Sequence, residues 1–406
     1  MDAISLREPD RVPFNPEMNL FPYLQAGFSI AEIVYDKDLT KTRKAIFKYL
    51  NDFDPDMLYG FGAINEGMGE MLELAMPKNL RWAGMPGDVI DKNSIHQYIE
   101  FPVLQDEDFD EFFHDRSGWM LRHGLPDMSE IMEPTRFFDL KNFGTYNGYS
   151  PFANAISTPE NRAMIEKLWH YADLEEHYGA VMGQLTEDIE AAGYPVPALG
   201  MASVPFDDYS DFLRGTLKGM EDLFDREEEV SRYCEEQLEF TLEYIRQQGE
   251  YLGGQNRFVA MALHKGMDSF MSPDQYEKYY WKDLQKIICA IIDADMIPYI
   301  YTEGPYASRL DFLKEVPAGK VFYHFEDIDM KLVKEKLGGI ACVGGGFPIG
   351  LLDNGTPEQV EAAAKKMIDE LAPGGGFIFE NTCACDYAKR ENVETLYKVI
   401  ETYGKK

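Results

Sequence analysis

Side chains able to bind a metal follow several apolar segments of this chain. His264 follows the apolar run 257–263, Glu303 follows a run that ends near Tyr301, and His324 and Cys383 come at the ends of later runs. Imidazole, carboxylate and thiolate groups from separate strands are the donors of zinc sites. We therefore take these four side chains as candidate metal ligands. A buried core histidine, an exposed loop acid and a small core cysteine are the alternatives.

Aromatic and amide side chains lie in the same predicted loops. They would suit a pocket for a flat organic substrate, although aromatic residues also pack in ordinary cores. The candidate substrate-binding residues are Phe61, Asn65, Trp82, Tyr306 and Phe347.

Helices and strands alternate along the last third of the chain. Ser272 and Thr356 are each followed by a proline and, three residues on, by a glutamine, which is typical of a capped helix start. This alternation predicts a parallel sheet with crossover helices. The predicted strands are 56–62, 196–203, 257–264, 296–301, 320–325, 340–344 and 375–381.

This pattern predicts an α/β fold, a (β/α)8 TIM barrel with an N-terminal extension and insertions. Residues 1–50 are expected to pack as an extension on a barrel formed by residues 51–406, with the eighth strand somewhere in 100–160. In such a barrel the functional residues gather at the C-terminal ends of the strands. An open doubly wound sheet is the alternative, but no G-x-G-x-x-G follows a strand.

The charge of the chain limits its partners. It has 71 acidic and 39 basic residues, a net charge of -32. We expect no binding to nucleic acid or to an anionic membrane, because no basic surface is left to hold phosphates. The start of the chain does not resemble a secretion signal, and five cysteines without a pairing pattern suit a reducing compartment. A cytoplasmic location is therefore expected.

Longer segments resemble a known family. The stretches "GMDSFMSPDQYEKYYWKDLQKII", "MIPYIYTEG", "GGGFPIGLLDNGTPEQVEAAAKKMID" and "GGFIFENTCACDYAKRENVETLYKVI" are similar to the uroporphyrinogen decarboxylase superfamily, over roughly residues 200–404. The resemblance implies a (β/α)8 barrel. One branch of that superfamily decarboxylates uroporphyrinogen without a cofactor. The other contains zinc-dependent methyltransferases that work with corrinoid proteins.

The methyltransferase branch fits this sequence better. The decarboxylase branch implies an arginine-rich N-terminal segment and an aspartate after the first strand, and the chain reads "FNPEMNLFPYLQAGFSI" and "GFGAIN" there. The methyltransferase branch implies zinc ligands in a histidine-x-cysteine pair and a later cysteine. Tyr301 stands at that histidine, Glu303 at that cysteine, and Cys383 or Cys385 at the third position. The missing histidine would come from His264 or His324.

The resemblance therefore implies a methyltransferase that demethylates a small methyl donor and passes the methyl group to a corrinoid (cobalamin) on a partner protein. Zinc would act as a Lewis acid, with Glu303, Tyr301 and His264 as catalytic residues. A carboxylate in place of a thiolate makes a harder site, which favours an oxygen donor such as an aromatic methyl ether and O-demethylation in anaerobic metabolism. A decarboxylase and a non-catalytic ligand-binding barrel remain as alternatives, and a homodimer is one option for the assembly.

Overall fold

The computed structural model describes residues 1–58, 64–87, 89–137 and 149–405. Its main sheet is parallel, and its strands stand in the order of the sequence. A separate antiparallel pair joins β1 (Leu80–Arg81) and β2 (Gln97–Tyr98). The strands are β1 (Leu80–Arg81), β2 (Gln97–Tyr98), β3 (Ala198–Met201), β4 (Phe258–Leu263), β5 (Ile297–Thr302), β6 (Phe322–Phe325) and β7 (Cys342–Gly345).

Two further segments extend the sheet beyond β7. Val343 pairs in parallel with Phe377, and Phe379 pairs in parallel with Phe14. At the other side of the sheet, the backbone N–H of Leu58 donates to the carbonyl of Pro195, just before β3, at 2.9 Å. The N–H of Phe14 donates to Asp56 Oδ2 at 2.9 Å. These contacts bring the two ends of the sheet together in an α/β fold of the TIM-barrel type.

The helices cover the outside of the sheet. The α-helices are Phe21–Gln25, Ile30–Val34, Thr40–Phe53, Gly69–Ala75, Phe109–His114, Arg116–Trp119, Leu125–Met128, Ser150–Ile156, Pro159–Ala191, Pro205–Asp208, Thr216–Asp225, Glu227–Leu252, Pro273–Tyr276, Lys282–Asp293, Leu310–Leu313, Met330–Leu337, Gly350–Asn354, Pro357–Leu371 and Arg390–Tyr403. The π-helical segments are Met120–Gly124, Tyr209–Arg214 and Glu277–Trp281, and the 3₁₀ helices are Glu130–Phe137 and Ala307–Arg309. None of the helices in the described ranges has the length and apolar character needed to cross a membrane.

The two capped helix starts are confirmed. The hydroxyl of Ser272 accepts from the N–H of Gln275, and the Gln275 side chain accepts from the N–H of Ser272. Thr356 and Gln359 form the same capping box. Each box satisfies backbone N–H groups that the first turn of a helix leaves free.

The apolar spacing after Ser272 also has its predicted effect. The side chains at steps of three and four all face the core, as one face of a helix should. These fully buried residues are Tyr276, Tyr280, Leu284, Ile287 and Ile291.

Two expectations about strands need correction or stay open. Residues 100–137 and 149–160 form helices, turns and an isolated bridge at Ser129 and contain no eighth strand, while 138–148 lie outside the described residues; the pairing beside Phe379 comes from Phe14. Tertiary pairing rather than local pattern places Phe14, which is why the sequence did not show it. Much of the predicted strand 56–62 lies outside the described residues. The division into a 1–50 extension and a 51–406 barrel stays a prediction.

Candidate active site

A cavity of about 620 Å³ opens at the C-terminal ends of the parallel strands. Ala202, His264, Glu303 and Glu326 line it, and each follows a strand of the main sheet by one residue. This is the end of a barrel at which loops of different strands converge. The other lining residues are Glu17, Met201, Ser203, Asp207, Asp208, Asp211, Phe212, Gln237, Phe240, Thr241, Tyr244, Ala260, Met261, Ala262, Tyr301, Cys383 and Ala384.

The turn after β5 places Glu303 at the cavity. Gly304 has a φ of +79°, a conformation that costs glycine little and other residues more. A side chain there would also approach Met267 Sδ to 3.1 Å. The N–H of Gly304 donates to Glu326 Oε2 at 3.0 Å. The turn therefore holds two carboxylates, Glu303 and Glu326, on neighbouring strand ends.

His264 is held by a carboxylate. Its Nδ1 donates to Asp211 Oδ2, and Lys265 Nζ lies 2.8 Å from Asp211 Oδ1. Burial lowers the pKa of His264, but the hydrogen bond to Asp211 and the charges of Asp207 and Glu303 outweigh it and raise that pKa to about 9. His264 is thus a cation at neutral pH, with Nε2 3.7 Å from Glu303 Oε1.

Asp207 fixes the backbone that carries His264. It accepts from the N–H groups of His264 (3.2 Å) and Lys265 (2.9 Å) and from Tyr280 Oη (2.5 Å). Burial raises the pKa of Asp207 to about 6, although His264 and Tyr280 act in the opposite direction. Removing its charge would loosen the turn after β4, because two backbone donors depend on it.

Glu17 enters the cavity from the N-terminal segment. Its backbone carbonyl accepts from the N–H of Cys385 at 2.7 Å, which fixes the segment beside the last strand. Its Oε2 is buried without a hydrogen-bond partner in the described residues. Burial, with the nearby charges of Glu380 and Glu326, raises the pKa of Glu17 to about 7, although His324 and the nearby Tyr301 hydroxyl act in the opposite direction.

His324 does not reach the cavity. It lies inside β6 and is 1% exposed. Its Nδ1 donates to Glu380 Oε2 at 2.8 Å, its Nε2 is 3.1 Å from the carbonyl of Thr382, and its ring stacks on Tyr301 with centroids 3.9 Å apart. Both ring nitrogens are therefore engaged, which leaves none for a metal.

The described residues do not fit the predicted zinc site. His264 and Glu303 lie side by side, but no group of three His, Cys, Asp or Glu side chains in the described ranges is arranged to hold a metal ion. Burial raises the pKa of Tyr301 and of the Cys383 thiol in the metal-free protein. A bound zinc ion would itself deprotonate a coordinating thiol, so the arrangement of the side chains, rather than their protonation, is what does not fit the site. The chemistry of this cavity is therefore derived without a step through zinc.

The predicted substrate-binding residues lie apart from the described cavity lining. Trp82 is 0% exposed in the core formed by the N-terminal helices, and its N–H donates to Tyr35 Oη at 3.3 Å. Tyr306 and Phe347 are buried in the main core. Asn65 has a φ of +62° outside this lining, and Phe61 lies outside the described residues.

Sequence reasoning missed several residues of the cavity. Asp207 and Asp211 could have been found, because they stand four residues apart directly after the predicted strand 196–203. Phe240 and Tyr244 have the same spacing on the helix Glu227–Leu252 and stack with an interplanar angle of 2°. Glu17 carried no local signal, since only its tertiary pairing brings it to the cavity.

Comparison with known proteins identifies the family of this chain. A family model described as uroporphyrinogen decarboxylase (URO-D) matches residues 142–403. Over 225 residues the chain is 24% identical to the methylcobamide:CoM methyltransferase MtbA of Methanosarcina acetivorans, which covers 54% of this chain and 64% of that protein. The protein of the same name from Methanosarcina mazei is 28% identical over 126 residues, 31% of this chain and 35% of its own length.

A solved structure has the same overall fold. A methyltransferase from Methanosarcina mazei superposes with a TM-score of 0.60 at 14% identity and covers 99% of this chain and 97% of its own. The matches to the curated relatives span less than two thirds of those relatives' length. The family model covers more than half of the chain, and the chain therefore belongs to the uroporphyrinogen decarboxylase family.

Proposed function

We propose that this protein is a methyltransferase that moves a methyl group from a small molecule, bound in the cavity, to a corrinoid on a partner protein. The observation that carries the proposal is the cavity, which combines a volume of about 620 Å³ with apolar walls and no activated nucleophile of its own in the described lining. The thiol of Cys383 and the phenol of Tyr301 both have raised pKa values. The acceptor of the methyl group must therefore come from outside the chain.

The relatives support a corrinoid as the second partner of the transfer, although their printed name describes the opposite direction, from a methylated corrinoid to CoM. Two of them carry the name methylcobamide:CoM methyltransferase. A reduced corrinoid supplies a strong cobalt nucleophile that attacks a methyl carbon in line. The cavity lies at an open barrel end, where a partner protein can approach.

The residues of this chain bind and orient the donor. Glu303 and Glu326, fixed by the turn at Gly304, present carboxylates to it. Asp211 and Asp207 hold His264 with a proton on Nε2 at the cavity. The aromatic residues at the mouth reduce the access of water.

An ether donor and zinc assistance, both implied by the resemblance, stay predictions. With an ether, the oxygen leaves as an anion and needs a Lewis acid or a proton. The described residues bring only two of the predicted zinc donors together, His264 and Glu303, which are too few to hold zinc. The acid that the geometry offers to an ether oxygen is therefore the proton of His264.

The decarboxylase alternative is less well supported. A substrate with many carboxylates needs arginine or lysine partners. The described lining of the cavity contains neither.

The test is methyl transfer to a reduced corrinoid. Purified protein is incubated without oxygen with cob(I)alamin or the cognate corrinoid protein and with a panel of methyl ethers, thioethers, quaternary ammonium salts and sulfonium salts. We expect the corrinoid absorbance to change with at least one donor class. Glu335→Gln, an exposed change on the helix Met330–Leu337, is the matched control. Release of carbon dioxide from a porphyrinogen, with no transfer from any donor, would overturn the proposal.

A further inference from the structure

The cavity carries more negative charge than its own cations balance. Six carboxylate side chains line it, at positions 17, 207, 208, 211, 303 and 326. His264 is the one lining residue with a positive charge in the part of the chain that the structure describes. Because Lys265 and His264 both pair with Asp211, they leave the other carboxylates largely uncompensated.

Three carboxylates account for the excess. Asp207 and Asp208 are satisfied by backbone, Tyr280, Ser203 and Gln237 donors. Glu303, by contrast, has His264 only at 3.7 Å. Glu17 and Glu326 form no ion pair among the described residues, although the charge of His324, which is paired with Glu380, also acts on Glu17.

Glu17 is an independent sign of a missing ligand. Its Oε2 is buried at the cavity and has no hydrogen-bond partner among the described residues. A buried acceptor without a partner is costly, and proteins leave few of them. A ligand that carries positive charge would compensate Glu17, Glu303 and Glu326 together.

The walls restrict the kind of cation. Met201, Met261, Phe212, Phe240 and Tyr244 give the cavity apolar and aromatic surfaces. Phe240 is 66% exposed and stacks on Tyr244, so aromatic faces remain available at the mouth. Aromatic faces beside carboxylates suit a cation that is covered by methyl groups, because such a cation donates few hydrogen bonds and attracts ring faces.

We propose that the methyl donor is an onium compound, a quaternary ammonium or a sulfonium. This inference rests on the methyltransferase function proposed above. In the transfer, the bond from the methyl carbon to nitrogen or sulfur breaks, and its electron pair stays on that atom, which becomes neutral. The electron pair of the reduced corrinoid forms the new bond to the methyl carbon. No proton is needed, and the leaving group is a neutral amine or thioether.

The same donor class explains the incomplete metal site. A Lewis acid assists departure of an oxygen that would leave as an anion. An onium group is already activated by its own positive charge, so its methyl group can leave without a bound metal. His264 and Glu303 then need no third ligand beside them to complete a metal site. The change from thiolate to carboxylate at Glu303 then serves binding of a cation rather than coordination of zinc.

A pair of isosteres tests the charge requirement. Choline and 3,3-dimethylbutan-1-ol have the same shape, but the first carries a positive nitrogen where the second has a carbon. We expect isothermal titration calorimetry to show that choline binds at least about tenfold more tightly than the neutral alcohol. A difference of this size is typical of the attraction between a cation and aromatic faces. Glu303→Gln, Glu326→Gln and Glu17→Gln should each weaken choline binding several-fold and leave the neutral isostere unchanged, and Glu335→Gln should change neither. A thermal melt of each variant verifies its fold.

The donor panel separates this inference from the proposed function. Transfer from an ammonium or sulfonium donor supports both. Transfer from ethers alone, or equal binding of the two isosteres, overturns the onium donor and leaves the methyltransferase intact. If no donor class gives methyl transfer, the methyltransferase function is overturned, and with it the proposal that an onium compound is the methyl donor.

Discussion

Two histidine–carboxylate pairs at the parallel sheet, His324 with Glu380 and His264 with Asp211, have different surroundings. His324 and Glu380 are both 1% exposed, and the second nitrogen of His324 is 3.1 Å from a backbone carbonyl. The His264 ring is 37% exposed, and its second nitrogen faces Glu303 across 3.7 Å. We call His324 with Glu380 the closed pair, because both nitrogens of its histidine are engaged within the protein. We call His264 with Asp211 the open pair, because its histidine keeps one nitrogen for a ligand.

The position of each histidine relative to its strand explains the difference. His324 stands within β6, so its side chain takes part in the packed interior of the barrel. His264 is the first residue after β4, where side chains face the mouth. Of the two histidines, the one that stands beyond its strand is therefore open to a ligand, and the one inside its strand is not.

The largest expected effect comes from breaking the closed pair. His324→Ala would leave Glu380 buried with only Asn15 and Tyr299 as hydrogen-bond partners. Removing one member of a buried ion pair costs roughly 3–5 kcal/mol. We expect urea unfolding to show a loss of this size, together with loss of ligand binding. An unfolding midpoint equal to that of the native protein would mean that the pair is not structural.

The next effect concerns Glu17, which lies near the closed pair and also lines the cavity. Its pKa is about 7, and Tyr301, Glu326, His324 and Glu380 surround it. Glu17 is therefore mostly protonated and neutral below about pH 7 and mostly ionised above it. Choline affinity should therefore rise about three- to tenfold between about pH 6 and pH 8, as one more partly screened charge appears.

Glu17→Gln isolates that titration. Without the carboxyl group, most of the rise around pH 7 should disappear and only the part due to Asp207, whose pKa is about 6, should remain, while Glu335→Gln should keep the native rise. Titration calorimetry at several pH values measures both. A native pH profile in Glu17→Gln would show that another group is responsible.

The sequence predicted the barrel better than the site. Residues such as Ser272 and Thr356 carry their structural signals locally, and the strands that follow obey the same local patterns. The position of Glu303 at a strand end was also predictable. Glu17 was not, because the pairing of Phe14 with Phe379 joins residues far apart in the chain. The engagement of both His324 nitrogens likewise depends on partners, Glu380 and Thr382, that no spacing reveals.

A smaller effect is expected from breaking the open pair. His264→Gln removes a half-exposed cation, and such pairs contribute about 1 kcal/mol or less to the free energy of unfolding. The pKa of His264 is raised from 6.5 to about 9 in the folded protein. Its contribution is therefore complete below about pH 6.5 and disappears as the pH rises through about 9. Urea unfolding of the variant and of the native protein at pH 6 and pH 10 measures this contribution. The two free energies of unfolding should differ by about 1 kcal/mol or less at pH 6 and should be equal at pH 10.

The same variant distinguishes the two donor classes. An onium donor needs no proton, so His264→Gln should retain transfer from it and bind choline more tightly, because a repelling charge is gone. An ether donor that depends on His264 as an acid should lose about a hundredfold or more in rate. A large loss with an onium donor would mean that the proton of the open pair takes part in the transfer, contrary to an onium mechanism.

The smallest expected effect is on zinc content. The family resemblance makes Glu303 a zinc ligand, whereas the described residues bring only His264 beside it. Three protein ligands are the usual minimum for a catalytic zinc. Both ring nitrogens of His324 are engaged, and Cys383 does not group with His264 and Glu303 in the described residues, so neither supplies the third. We expect metal analysis to find the same zinc content in the native protein and in Glu303→Ala, while choline affinity falls in the variant. If zinc and choline affinity are lost together, Glu303 is a metal ligand after all, and the open pair is half of a metal site that a ligand or a partner protein completes.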